Sequence, residues 1–220
     1  MSDVVRQTIF DIRCWWRNGE QLLLMLILPT MALLLGRRIS ETIGIDPVVF
    51  VDGVVLLAFF ATAFTGQAIL TAFDRRSNAL LVIGASSIGR RGFVLARIAA
   101  VIVTCIAQAL VLYVVHRTAG LEHPRFLGHT AIAMLGIPAF VGTGLLIAGL
   151  LRAEIVLAAA NLIFVLAIVF GGAFEPSAWS PLGAIRLLQS GVDAGLAGIV
   201  LTAWTVGAIV VTQRTFRWID

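Results

Sequence analysis

Apolar residues fall along this chain in long blocks, parted by short polar stretches in which arginine recurs. The first block, 21–36, reads QLLLMLILPTMALLLG. Further blocks cover 47–73, 93–115, 130–151, 155–173 and 194–212. A helix needs roughly 20 apolar residues to cross a hydrocarbon core. The pattern therefore predicts an all-α integral membrane protein with six transmembrane helices. A secretory signal would show a small-residue cleavage site after its apolar run. Arg37 and Arg38 stand there instead, so the first block is expected to remain as a span. Pro29 and Pro138 each lack a backbone donor and predict kinks.

Two segments keep another rhythm. Within 2–18, at 100° per residue, Val5, Ile9, Ile12 and Trp16 project in one arc, with Arg6, Arg13 and Arg17 on the adjacent flank. An apolar stripe edged by arginine predicts an amphipathic helix in the membrane interface. Ser2 is its expected N-cap, with Asp3 in the first turn. The plainer alternative is a flanking anchor. Between the second and third blocks, 74–92 reads DRRSNALLVIGASSIGRRG, longer than antiparallel neighbours require. Ala79, Leu80, Leu81 and Ile83 form an apolar patch, and a turn is expected at Gly84-Ala85-Ser86-Ser87. Ser86 or Ser87 is expected to cap a short helix ended by Gly89. Arg90, Arg91 and Arg97 then lead back into the bilayer. Such a surface suits the grip of a soluble protein; the alternative is a loop resting on headgroups.

Composition narrows the class. Of 220 residues, 60% are apolar and 13% charged, against about a quarter charged in soluble domains. That excludes a soluble enzyme, a disordered chain and a disulfide scaffold, and leaves no room for a sizeable aqueous domain. All 16 basic residues are arginine. Without lysine there is no P-loop and no Schiff base. The basic balance fits anionic lipid rather than nucleic acid. With a cytoplasmic N-terminus the inner segments hold eleven arginines (6, 13, 17, 75, 76, 90, 91, 97, 152, 214, 217) and the outer ones five (37, 38, 117, 125, 186). This asymmetry predicts cytoplasmic termini.

Candidate chemistry is sparse. Cys14 and Cys105 form no framework. His116, His123 and His129 match no helical ligand spacing, so no metal site is expected. No catalytic residue is expected either: the serines lack a histidine on their side of the membrane. Gln67, Gln108 and Asn161 either line a substrate path or hold helices together. Asp52, near the outer boundary, is expected to be hydrated. Ala194, Gly198 and Thr202, and Ala139 with Thr143, predict close helix approaches, either within the chain or between two copies.

An N-terminal interfacial helix, six spans and the long loop after the second resemble the permease subunits of type-two ATP-binding-cassette exporters. The loop offers Asp74-Arg75-Arg76, Leu81, Gly84-Ala85-Ser86-Ser87, Arg90-Arg91 and Ala96-Arg97. It departs from the family at Asn78 (usually glycine), Ala85 (usually proline) and Ala96-Arg97 (usually Gly-Lys). The resemblance implies that Asp74, Arg75, Arg76, Ser86, Ser87, Ile88, Arg90 and Arg91 couple to a cytoplasmic ATPase, which itself binds ATP and Mg. It implies no cofactor in this chain, a second copy or paralogue as partner, membrane lipids around it, and a bacterial cytoplasmic membrane. The cargo would be amphipathic, a drug or lipid. The stretch 174–193, with Phe174, Pro176, Trp179 and Pro181, resembles the re-entrant outer gate of this family; an outer loop with an interfacial Trp179 is the alternative. A haem-export permease of cytochrome c maturation is a rival within the class. A membrane enzyme or a partner-free carrier is the rival outside it.

Overall fold

The computed structural model describes residues 3–17 and 19–215; Ser2, Asn18 and Arg217 lie outside the described residues. Among these every element is helical. In chain order they are α1 (Asp3–Trp16), α2 (19–34, containing a π-turn at Leu23–Ile27), α3 (Gly36–Ile43), α4 (Pro47–Arg76, with a π-turn at Ala61–Gly66) and α5 (Ala79–Ala85). Then follow α6 (Gly89–Thr118), α7 (Phe126–Leu150, interrupted at 135–136), α8 (Ala153–Phe170), α9 (Pro181–Ser190) and α10 (Ala194–Thr215).

Five helices are long and apolar enough to cross a membrane: α4, α6 from Arg91, α7, α8 and α10. The second to sixth apolar blocks each land on one of them. The first block forms a shorter apolar helix, Met25–Leu34. The π-turn Leu23–Ile27 overlaps its start, Pro29 stands in the first turn of the α-helical part Leu28–Leu34, and the helix ends at Leu35 before the arginine pair. This segment nevertheless travels far. Trp15 lies against Gly66, Met25 and Ala58 share one hydrogen-bonding side chain, and Gly36 lies against Phe50. Rising numbers from the end of α1 through α2 to the start of α3 meet falling numbers on α4, so α2 and α4 run antiparallel.

α4 is the centre of the bundle. Of its apolar stretch 78% is buried, against 22% for α8 and 17% for α10. Phe60 stacks on Phe64 with ring centres 4.7 Å apart and meets Phe140 edge-on at 5.1 Å. Gly144 of α7 packs directly on the π-turn of α4: a Cβ there would come within 2.7 Å of the Phe64 carbonyl oxygen. Within the chain the close approaches fall elsewhere than on the small-residue ridges. Gly198 has open space beside it, and Thr143 bonds back to Ala139 of its own helix. α7 and α10 meet instead at Gly142 and Ala208, where the Thr212 hydroxyl donates to the Gly142 carbonyl at 3.0 Å. α1, α5 and the start of α6 gather at one end of the bundle, the loop end. The start of α4, the end of α6 and α9 gather at the other, the far end.

Candidate functional site

The loop end is organised by one arginine. Arg97, on α6, is 1% exposed. A buried guanidinium needs paired acceptors, and two carboxylates reach it from other elements. Asp74 at the end of α4 accepts from Nη2, and the Oδ2 of Asp11 on α1 lies 3.6 Å from Nε. The Phe93 ring lies under the guanidinium, 5.0 Å away. Gln7 donates to Asp11 at 2.8 Å, Thr8 donates to the Ala96 carbonyl, and the Ser87 hydroxyl donates to Asp3. Burial pushes the Asp11 carboxyl above the usual carboxylate range, against the opposing pull of Arg97.

This pairing decides how α1 lies. Val5, Ile9 and Trp16, the arc expected in the membrane interface, are exposed, and Ile12 is half-buried. Asp11 and Trp15 are the residues turned inward. The buried charge on α6 draws the acidic side of α1 to the bundle and leaves the apolar arc facing outward.

The coupling candidates divide into two sets. Arg75 is buried and closes the end of α7, donating to the carbonyls of Ala148 (2.6 Å) and Leu151. It satisfies helix-end acceptors that otherwise lack partners, so it is not a docking residue. Asp74 is half-buried against Arg97. Both leave the expected contact surface. Arg76, paired with Glu154 at 2.6 Å, is exposed, as are Ser86, Ser87 and Arg91. Ile88 is half-buried, and Arg90 stands in the first turn of α6. The short helix precedes the serines rather than following them. Asn78, at φ 60°, parts α5 from α4, and Gly89, at φ 61°, opens α6 instead of ending a helix. The Ser86 hydroxyl donates to the Ile83 carbonyl and accepts weakly from the Ile88 amide, closing α5. Val82, 73% exposed on α5, is not distinguished by sequence pattern, because the apolar run of five residues over 79–83 hides which one faces out.

A half-open apolar groove of about 590 Å³ runs between α2, α4 and α8. Trp15, Met25, Pro29, Thr62, Asn161 and Phe164 are among its walls. Both π-turns border it, at Met25 and at Ala61–Gly66. Of the three expected pathway residues only Asn161 reaches it. Gln108 is wholly buried, donating to the carbonyls of Met25 and Ala58 and accepting from Thr62 at 3.2 Å. It ties helices together. Gln67 is buried too, and neither of its amide atoms has a hydrogen-bond partner among the described residues.

At the far end Asp52 is buried rather than hydrated. Its Oδ1 lies 2.8 Å from His123 Nε2, and its Oδ2 lies 2.8 Å from His129 Nδ1 and 2.7 Å from Arg186 Nη1. Gln189 accepts from Arg186 at 2.6 Å and donates to the His129 carbonyl at 2.9 Å. Helical spacing could not foretell this, because the histidines converge from a connection and from the first turn of α7. The stretch 174–193 contains α9, a short helix buried along Pro181–Leu187 and capped by the Ser180 hydroxyl, which accepts from the Gly183 amide at 3.0 Å. Phe174 is half-buried over Gly53, leaving no space for a Cβ there, and stacks on Phe50. Pro176 and Trp179 are exposed.

Comparisons with protein-family models, curated proteins and solved structures find no match for the chain.

Proposed function

We propose that this chain is the membrane-spanning permease subunit of a type-two ATP-binding-cassette exporter. A separate cytoplasmic subunit hydrolyses ATP, and two permease chains, identical or paralogous, enclose a path for an amphipathic cargo leaving a bacterial cytoplasm. The observation that carries the reading is the loop end. There an exposed patch (Leu81, Val82, Ser86, Arg91) is joined through Ser87–Asp3 and the Arg97 ion pairs to α1, α4 and α6. A desolvated charge network transmits a push without slack, because separating its members leaves a buried charge unpaired. Closure of the ATPase then rocks helices between inward and outward states, and cargo biases that equilibrium only by binding the two states unequally.

In this reading α2 is the sixth crossing. It links α1 at the loop end to α3 at the far end alongside α4, which supports a traverse despite its short apolar stretch. The arginine asymmetry supports a cytoplasmic loop end, and the outward arc of Val5, Ile9 and Trp16 suits α1 to the interface. The groove walled by both π-turns is the cargo-facing surface.

Val82→Asp with Arg91→Glu tests the assignment. The double variant should insert normally yet lose co-purification with the ATPase and at least tenfold of ATP-dependent export in proteoliposomes. Retention of both activities would mean that α5 is not the coupling element.

A further inference from the structure

We propose that Asp52, His123 and His129 form a binding site for one divalent transition-metal ion of the zinc class at the far end of the bundle. The inference does not rest on the transport reading. One ligand atom from each residue lies within 4.8 Å of the other two. In a bound site, metal–ligand distances of about 2.0–2.2 Å bring such atoms roughly 3.4 Å apart, a contraction that side-chain rotation supplies. Two imidazoles and one carboxylate are the donor set of an ion that keeps an open fourth position.

The surroundings favour an ion over a simple charge pair. Arg186 alone neutralises Asp52 at 2.7 Å, so two further histidines on the same carboxylate exceed what pairing requires. Arg186 engages Oδ2 and is itself held by Gln189. Oδ1 is therefore left as the ligand while Oδ2 stays anchored, and second-shell bonds of this kind orient first-shell carboxylates. His123 Nε2 and His129 Nδ1 are the ring nitrogens turned to Asp52, and they are the atoms that would ligate, each in its unprotonated form. Apart from His116, no other histidine exists in the chain, and both cysteines lie on other stretches. The ion would tie α4, the 119–125 connection and α7 together.

The test uses the full chain, purified in detergent without a polyhistidine tag and stripped with chelator. Titrated with Co²⁺, it should bind one ion per chain, with a visible ligand-field band and no thiolate charge-transfer band. Zn²⁺ should displace the cobalt and raise the Tm. Asp52→Asn and His129→Gln should abolish saturable binding at unchanged gel-filtration elution. Arg186→Gln, which keeps all three ligands, should weaken binding about 10–100-fold. Should a ligand variant fail to fold, cobalt-edge absorption of the wild-type complex decides instead, two imidazoles and oxygen being expected. No saturable Co²⁺ binding by the wild type, binding unaltered by both ligand substitutions, or sulfur in the cobalt shell would each overturn the site.

Discussion

Arg97 shows how a single side chain sets local architecture. Within an apolar block an ionisable residue demands a partner, and that demand was legible in the sequence. The partners were not: Asp11 and Asp74 belong to other elements, and chain order does not encode which carboxylate folds back. Arg97→Met leaves both acids buried or half-buried without a counter-charge, and should destabilise the chain by about 3–5 kcal/mol in detergent unfolding. Asp11 gives a pH signature with a definite sign. Its carboxyl titrates above the ordinary value of 3.8, so the folded chain holds a proton that the unfolded chain has released. Stability attributable to Asp11 therefore falls as pH rises from near 3.8 through the raised value. The Tm of Asp11→Asn, plotted against pH, should lack that decline relative to the wild type; parallel curves would count against the burial of this carboxyl.

Whole helices were far easier to foresee than the breaks within them. Apolar block length predicted five of the observed spanning-length helices because lipid-facing and core-facing positions alike must be apolar. The π-turns are silent in sequence, since both lie inside apolar blocks. The helix packed on Ala61–Gly66 is α7, and Gly144 is what lets the two backbones approach. Gly144→Ala should cost about 1–3 kcal/mol through helix separation, whereas Gly198→Ala on the open side of α10 should stabilise by about 0.5–1 kcal/mol, alanine being the better helix former. Equal losses at both positions would dissolve the distinction between them. The small-residue pattern marked Gly198 but not Gly144, because helical spacing identifies a smooth face without saying what packs on it, another helix of this chain or a second copy. At the loop, the hydroxyl and arginine residues were visible as a group, yet Arg75 turned inward to close a helix end and Val82 turned out.

For the molecule as a whole, α8 and α10 carry wide uncovered faces while α4 is enclosed. On the transport reading proposed above, the chain is one half of a larger gate, and alone in proteoliposomes it should move no solute, with or without ATP. The topology is testable by cysteine labelling in a chain with Cys14 and Cys105 replaced by alanine. Val5→Cys and Val82→Cys should react with an impermeant maleimide in inverted vesicles, and Val192→Cys in intact cells; all three positions are exposed. Labelling of 82 and 192 from one side would refute the orientation.

The run over 19–34 extends about 24 Å at 1.5 Å per residue, short of the roughly 30 Å that lipid tails occupy. With α2 as the sixth crossing, as proposed above, the bilayer would thin inward to meet it. That dimple would border the groove, so the two leaflets come nearest each other at the very place where an amphiphile would change sides, and its greasy part would have less distance to go.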